Sequence, residues 1–189
     1  MVNTTRVNDV DTTRADDVIR AEAESHRQVK ELMLFLKKYC PGFENSHLSS
    51  ISYGFGARES RRVAGLKTLT VKALEDLEVP EDTIVLAGYN MDIHPAGTDQ
   101  HLLQPVERAI GIPYGCLVSR SVRGLMMAGR DVSVDEQIFG MTRIMGTCMG
   151  MGEAAGTAAG LAVTHGVLPD QVDVQELRKI LKHNGCILE

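Results

Sequence analysis

The chain reads as an α/β protein, with α+β as the second arrangement, on three observations. Short β-rich runs alternate with stretches of helical period. Two runs, Ile84-Val85-Leu86-Ala87 and Gly124-Leu125-Met126-Met127-Ala128-Gly129, are continuously apolar, the pattern of strands buried on both faces. The composition, 43% hydrophobic and 24% charged over 189 residues, is that of an ordinary globular chain. At this length one core, or one large lobe and a small one, can form, since domains of roughly 100–200 residues bury about 70% of their unfolded surface.

The elements follow in order. Residues 2–7 are short and partly alternating, as in a strand. Thr13 with Asp16 three positions on resembles a capping box, and Ala15, Val18, Ile19, Val29, Leu32, Met33 and Leu36 fall at three- and four-residue steps, so residues 14–39 form an amphipathic helix closed by Pro41-Gly42. Residues 47–55 alternate and are β-rich, residues 70–77 suit a short helix before Pro80, and residues 83–89 form a second strand. Residues 90–113, punctuated by Pro and Gly, read as an irregular loop or lid. The apolar run at 124–129 is a buried strand, Arg130-Asp131-Val132-Ser133 a loop, and residues 142–164 one long helix of small residues. Asp173 with Glu176 caps a final helix that carries Val174, Leu177, Ile180 and Leu181 and ends at Asn184-Gly185.

Several functions are set aside by composition. A formal charge of −5, no basic run and 4% aromatic residues leave neither the electrostatic footprint nor the stacking groups of a nucleic-acid binder. The stretch from Ile144 to Val163 lacks Lys and Arg, but it is mostly Gly and Ala around Glu153, too weakly apolar for a membrane span. Cys40, Cys116, Cys148 and Cys186 match no metal or cluster spacing, His26, His47, His101, His165 and His183 form no metal-spaced group, and the opening Met-Val-Asn-Thr-Thr-Arg is polar. Reduced thiols in the cytoplasm are the expectation.

Three segments carry chemistry. Glycine is densest in the stretch from Gly146 to Gly160, which holds five of the 18. Each Gly inside a helix gives up about 0.8–1 kcal/mol relative to Ala, a loss that close approach would offset. Cys148, Gly152, Gly156 and Gly160 fall at four-residue steps, one stripe where a strand or a ligand reaches the backbone. Two readings stand: a helix packed tightly on a sheet, or a helix whose start, residues 142–147, offers its N–H groups to a phosphate or an electron-rich carbonyl edge. Gly150, Gly152 and Gly156 imitate a dinucleotide fingerprint, but they lie within the helical run, and Asp170 sits in a turn. In Gly56-Ala57-Arg58-Glu59-Ser60-Arg61-Arg62, three guanidinium forks suit a carboxylate or phosphate, or pair internally with Glu59. In Asp92-Ile93-His94, His94 is either an acid/base group or an ordinary hydrogen-bonded residue beside Pro95.

In this order the segments resemble the C-terminal part of the FAD-dependent oxidoreductase family, the heterodisulfide reductase A-like flavoproteins. The markers are Arg58-Glu59-Ser60-Arg61-Arg62, Asp92-Ile93-His94, Ile112-Pro113-Tyr114, the run from Leu125 to Ser133, Arg143-Ile144-Met145-Gly146-Thr147-Cys148-Met149, and Gly152-Glu153-Ala154-Ala155-Gly156-Thr157-Ala158-Ala159. The resemblance implies that Gly129, Arg130 and Asp131 end a strand beside FAD, and that Arg143, Met145, Gly146 and Thr147 start a helix facing the flavin. The small stripe would pack on the nucleotide-binding sheet, with Arg58, Arg61 and His94 toward the substrate. Many relatives have Ser where this chain has Met141, and often Gln where it has Glu153.

The resemblance further implies hydride or electron transfer on a small, anionic molecule. Residues 1–115 would be a substrate-side, cap-like lobe and residues 116–189 the C-terminal segment of the FAD-binding domain. The G-x-G-x-x-G strand–turn–helix that holds the FAD pyrophosphate in such two-lobed proteins is absent from the sequence. Either a partner chain supplies that Rossmann half, or the chain is a fragment, inactive alone. Some relatives are associated with [4Fe-4S] clusters, for which this chain has no cysteine spacing. The competing reading is a non-catalytic remnant or interaction module that has lost FAD and covers its exposed sheet edge by self-association or with a partner.

Overall fold

The computed structural model describes residues 2, 4–73, 79–93 and 102–189, and the chain divides into two compact units, Met1–Ser60 and Arg61–Glu189. In the first, α1 spans Ala15–Tyr39, as its apolar spacing predicts, with Asp16 and Asp17 in the first turn and Lys37 and Lys38 in the last to complement the macrodipole. Its start differs from the expected capping box. Arg14 occupies the N-cap position without a side-chain bond, and Thr13 donates its N–H and hydroxyl to Asp11 Oδ1 at 2.9 and 2.7 Å. Thr13 thus serves a local turn, a common competitor of helix capping.

The strands expected at 2–7 and 47–55 are not formed among the described residues. Alternation makes a strand only where a neighbouring edge satisfies the backbone. Here a side chain of α1 stands in for that edge: Gln28 accepts from the Arg6 N–H at 2.9 Å and donates to the Arg6 carbonyl at 2.7 Å. Along α1 only Ala21 is buried, while Ile19, Leu34, Phe35 and Tyr39 are each more than half exposed.

The second unit holds four short strands among its described residues: β1 Thr83–Ala87, β2 Met91–Ile93, β3 Leu102–Gln104 and β4 Ile110–Pro113. They form two antiparallel ribbons, β1 with β4 (Val85 opposite Ile112, Ala87 opposite Ile110) and β2 with β3 (Asp92 opposite Leu103). The region expected to be an irregular loop therefore contains three strands. Gly111 is a strand residue opposite Leu86, and glycine is needed there because a Cβ would collide with the Thr83 side chain. The expected helix at 70–77 is described only as far as residue 73, and His94 lies outside the described residues.

The apolar run at 124–129 is not a buried strand. Gly124 (φ +75°) and Gly129 (φ +112°) bracket it, Val118 and Met126 make a single bridge, and Leu125 is 38% exposed. Residues 61–71 are stitched to the segments on either side of this run through Val63 N–H to the Asp131 carbonyl (2.8 Å), Leu66 to Val118 (2.9 Å) and Leu69 to Ser133 (3.1 Å), with Gly65 and Leu69 buried. Gly65 permits this, since a Cβ would lie 2.7 Å from the Lys67 carbonyl and 2.8 Å from that of Gly115.

Three helices follow: α2 Glu136–Thr142, α3 Met145–His165 and α4 Val174–His183. The long helix expected at 142–164 is α3, begun three residues later, and α2, which was not expected, precedes it across Arg143 and Ile144. Asp135 starts α2 by accepting from the Ile138 N–H at 2.8 Å, and its other carboxylate oxygen accepts from Val71 N–H at 2.6 Å. α4 is capped as predicted, with Asp173 accepting from Gln175 and Glu176 N–H groups, and Gly185 (φ +95°) follows its end. α3 and α4 pack on β1, and α2 packs on β2. Ile84, Ile112, Leu117, Ile138, Met151, Leu177 and Leu181 are fully buried in this core. Among the described residues no helix is long and apolar enough to cross a membrane.

Candidate functional site

The joint between α2 and α3 gathers most of the residues singled out by sequence. Arg143 is the C-cap of α2 and Ile144 the N-cap of α3, which has no side-chain cap. The first N–H groups of a helix have no partner within it. Here they belong to Met145, 81% exposed, to Gly146, where an added Cβ would meet nothing within 4 Å, and to Thr147, whose side chain is buried. The first bond of the helix runs from Cys148 N–H to the Ile144 carbonyl at 2.9 Å.

The charges of the turn at 129–131 are felt at this start. Gly129 adopts φ +112°, a conformation that favours glycine, and has open space where a Cβ would stand. Burial pushes the Cys148 thiol above its ordinary range, with Arg130 pulling it down and Asp131 pushing it up, so both charges reach the first turn of α3. The result is a protonated thiol near neutral pH, a poor nucleophile.

Arg143 is held rather than open. Its Nη2 donates to Asp92 Oδ2 at 2.7 Å and to the Asp92 carbonyl at 3.0 Å. Its guanidinium lies 5.8 Å from the centre of the Phe139 ring, and that of Arg62 lies 5.6 Å from the same centre. Arg62 also donates to the Val134 carbonyl at 2.8 Å, so this member of the arginine loop braces the fold. Arg58 is exposed in the first unit, and Arg61 is exposed at the start of the second. Sequence reasoning missed the parts played by Phe139 and Gly140. Both lie inside α2, a helix not anticipated from the sequence, and Asp135 as its N-cap is the signal that could have found it.

The glycine stripe departs most from expectation. Gly152, Gly156 and Gly160 are exposed, with nothing within 4 Å of a built Cβ. The face of α3 that packs on this chain is Thr147, Met151, Ala154, Ala158 and Ala162. Gly150 alone makes the expected close approach, 2.6 Å from Cβ position to Val85 Cγ2. Alanines fill the gap that glycine was expected to leave.

A family model described as FAD dependent oxidoreductase matches residues 1–181. The chain belongs to the FAD dependent oxidoreductase family. No curated protein matches it, and no solved structure does. In this family member the uncapped start of α3 leaves N–H groups that suit the electron-rich edge of a flavin, and the turn at Gly129 leaves space. The fit extends to the flavin end only, because the sequence holds no G-x-G-x-x-G to cradle a pyrophosphate. Among the described residues the four cysteines are free, and no group of three His, Cys, Asp or Glu could hold a metal ion.

Proposed function

We propose that this chain is the C-terminal portion of a two-lobed, FAD-dependent oxidoreductase of the heterodisulfide reductase A-like type, acting on a small anionic molecule. The observation that carries the reading is the family match over residues 1–181 together with an α3 start that is uncapped and open. Bound FAD would supply the two-electron chemistry. Met145, Gly146 and Thr147 would present N–H groups to the electron-rich edge of the ring, and Gly129, Arg130 and Asp131 would line its side. Arg143 belongs to the same set, and Arg58, Arg61 and His94 would face the substrate. Residues 1–115 then act as the substrate-side lobe and 116–189 as the flavin-side segment, in a cytoplasmic protein.

The open glycine face of α3 supports a further part of this reading. A helix apolar on all sides is normally covered on all sides. The nucleotide-binding half of the FAD site, contributed by another polypeptide segment or a partner chain, would lie there. The same open face favours the second reading, a non-catalytic module that covers it by self-association.

The test is the absorption spectrum of the purified chain, with and without added FAD, beside a thermal shift. A flavin band that survives gel filtration supports the enzyme. If the chain neither binds FAD alone nor retains it when co-expressed with a neighbouring reading frame that carries G-x-G-x-x-G, the non-catalytic module takes its place.

A further inference from the structure

Two residues, Arg143 and Ile144, set the angle between α2 and α3. Asp92 grips that joint from β2 in three ways. Its carboxylate accepts from Arg143 Nη2 at 2.7 Å, and its carbonyl accepts from the same nitrogen at 3.0 Å. Its backbone also lies so close to Gly140 that a Cβ there would stand 2.8 Å from the Asp92 carbonyl oxygen. The two side chains are only 10% and 16% exposed, so the pair is shielded from water. A guanidinium held by a carboxylate and a carbonyl at once, beside the Phe139 ring, is fixed in direction, and its charge is countered on the spot.

We propose that Asp92 is a positioning residue for the flavin-side turn. By fixing Arg143 it fixes the joint, and with it the direction of the Met145, Gly146 and Thr147 N–H groups. The proposal rests on the reading that the start of α3 faces the flavin. It moves Arg143 from the groups that touch the cofactor to those that orient the ones that do.

The test uses Asp92→Asn, which keeps shape and carbonyl but drops the charge, Asp92→Glu as the conservative variant, and Arg143→Lys, which keeps the charge but not the fork. In the full chain without FAD, amide exchange at Cys148 and Met149 should quicken about tenfold in Asp92→Asn while α4 stays unchanged, and Asp92→Glu should recover part of the protection. FAD titrated by flavin fluorescence, into the chain or its co-expressed pair, should bind about tenfold more weakly to both Asp92→Asn and Arg143→Lys.

Three results would overturn the proposal: unchanged exchange at the start of α3, tighter FAD binding or a raised flavin potential in Asp92→Asn, or wild-type affinity in Arg143→Lys. The second would show that Arg143 acts by its own charge once the carboxylate is gone. A pair that only braces the fold would lower Tm and leave FAD affinity as it was. Should the wild type take up no FAD in any form, the flavin reading falls by itself, and the exchange measurement still decides what Asp92 does.

Discussion

The two long faces of α3 use small residues to opposite ends. One face, Ala154, Ala158 and Ala162, lies buried on β1 and α4, and the other, Gly152, Gly156 and Gly160, lies open. Alanine keeps a methyl group to fill the core and gives up no helix propensity, so it suits a face whose neighbour belongs to the same chain. Glycine weakens the helix by about 1 kcal/mol at each position, a loss that nothing packed on the open face offsets. Within one helix, small size therefore marks two different things, and only the neighbours tell them apart.

The contrast can be broken most forcefully on the buried side. Ala158→Leu should overpack the core and lower stability by about 3 kcal/mol, visible as a fall in Tm of about 10 °C in thermal denaturation. A melting curve unchanged by that substitution would show that the alanine face is not the packed one.

The next effect is alkaline. Burial raises the Cys116 thiol from 9.0 to about 12, and burial with the Asp170 charge raises the Tyr114 hydroxyl from 10.0 to about 12. On unfolding, both groups return to their ordinary values, so above pH 9 the unfolded chain holds fewer protons than the folded one. Stability should hold its full value below about pH 9 and decline as pH rises toward about 12, with Cys116→Ala removing the thiol's share. Denaturant midpoints that stay level from about pH 8 to about pH 11 would contradict that burial.

Gly150 tests the boundary between the faces. Gly150→Ala gains helix propensity but drives a methyl group into Val85, a stiff β-branched neighbour, and should lower stability by about 1 kcal/mol. An effect of like size and opposite sign belongs to the open face: Gly156→Ala should raise stability by about 1 kcal/mol in the chain alone. Differential scanning calorimetry of the two variants side by side would sharpen the comparison, because they are the same substitution in one helix with opposite expected signs.

Where one segment's own residues decided the structure, the sequence was readable. α1 and α4 carry periodic apolar spacing, β1 a continuous apolar run, Asp173 caps α4, and Pro41-Gly42 and Asn184-Gly185 close their helices. Where a distant neighbour decided, it was not. Gly111 reads as part of a loop and is a strand residue that Thr83 requires to be glycine, and Gly140 and Arg143 are set by Asp92, far away in sequence. The run at 124–129 has the apolarity of a buried strand, yet it meets residues 117–119 through a single bridge at Val118 and Met126 and leaves Leu125 38% exposed. Near the candidate site, a helix beginning in the 142–147 region was legible because a helix start is a local feature, whereas the strand expected to end at Gly129 is a turn. The brace of Arg62, Phe139, Arg143 and Asp92 joins three separate segments and left no pattern to read.

The bare side of α3 has a consequence for whatever comes to rest on it. Across Gly152, Gly156 and Gly160 a covering partner meets backbone with no rotamers to freeze, while the exposed Met149 and Val163 beside the stripe would still lose side-chain freedom on burial. The selectivity of the stripe must then come from contour: a flat, closely fitting sheet or ring gains contact along the whole stripe, and a bulky side chain is turned away at the first glycine it meets.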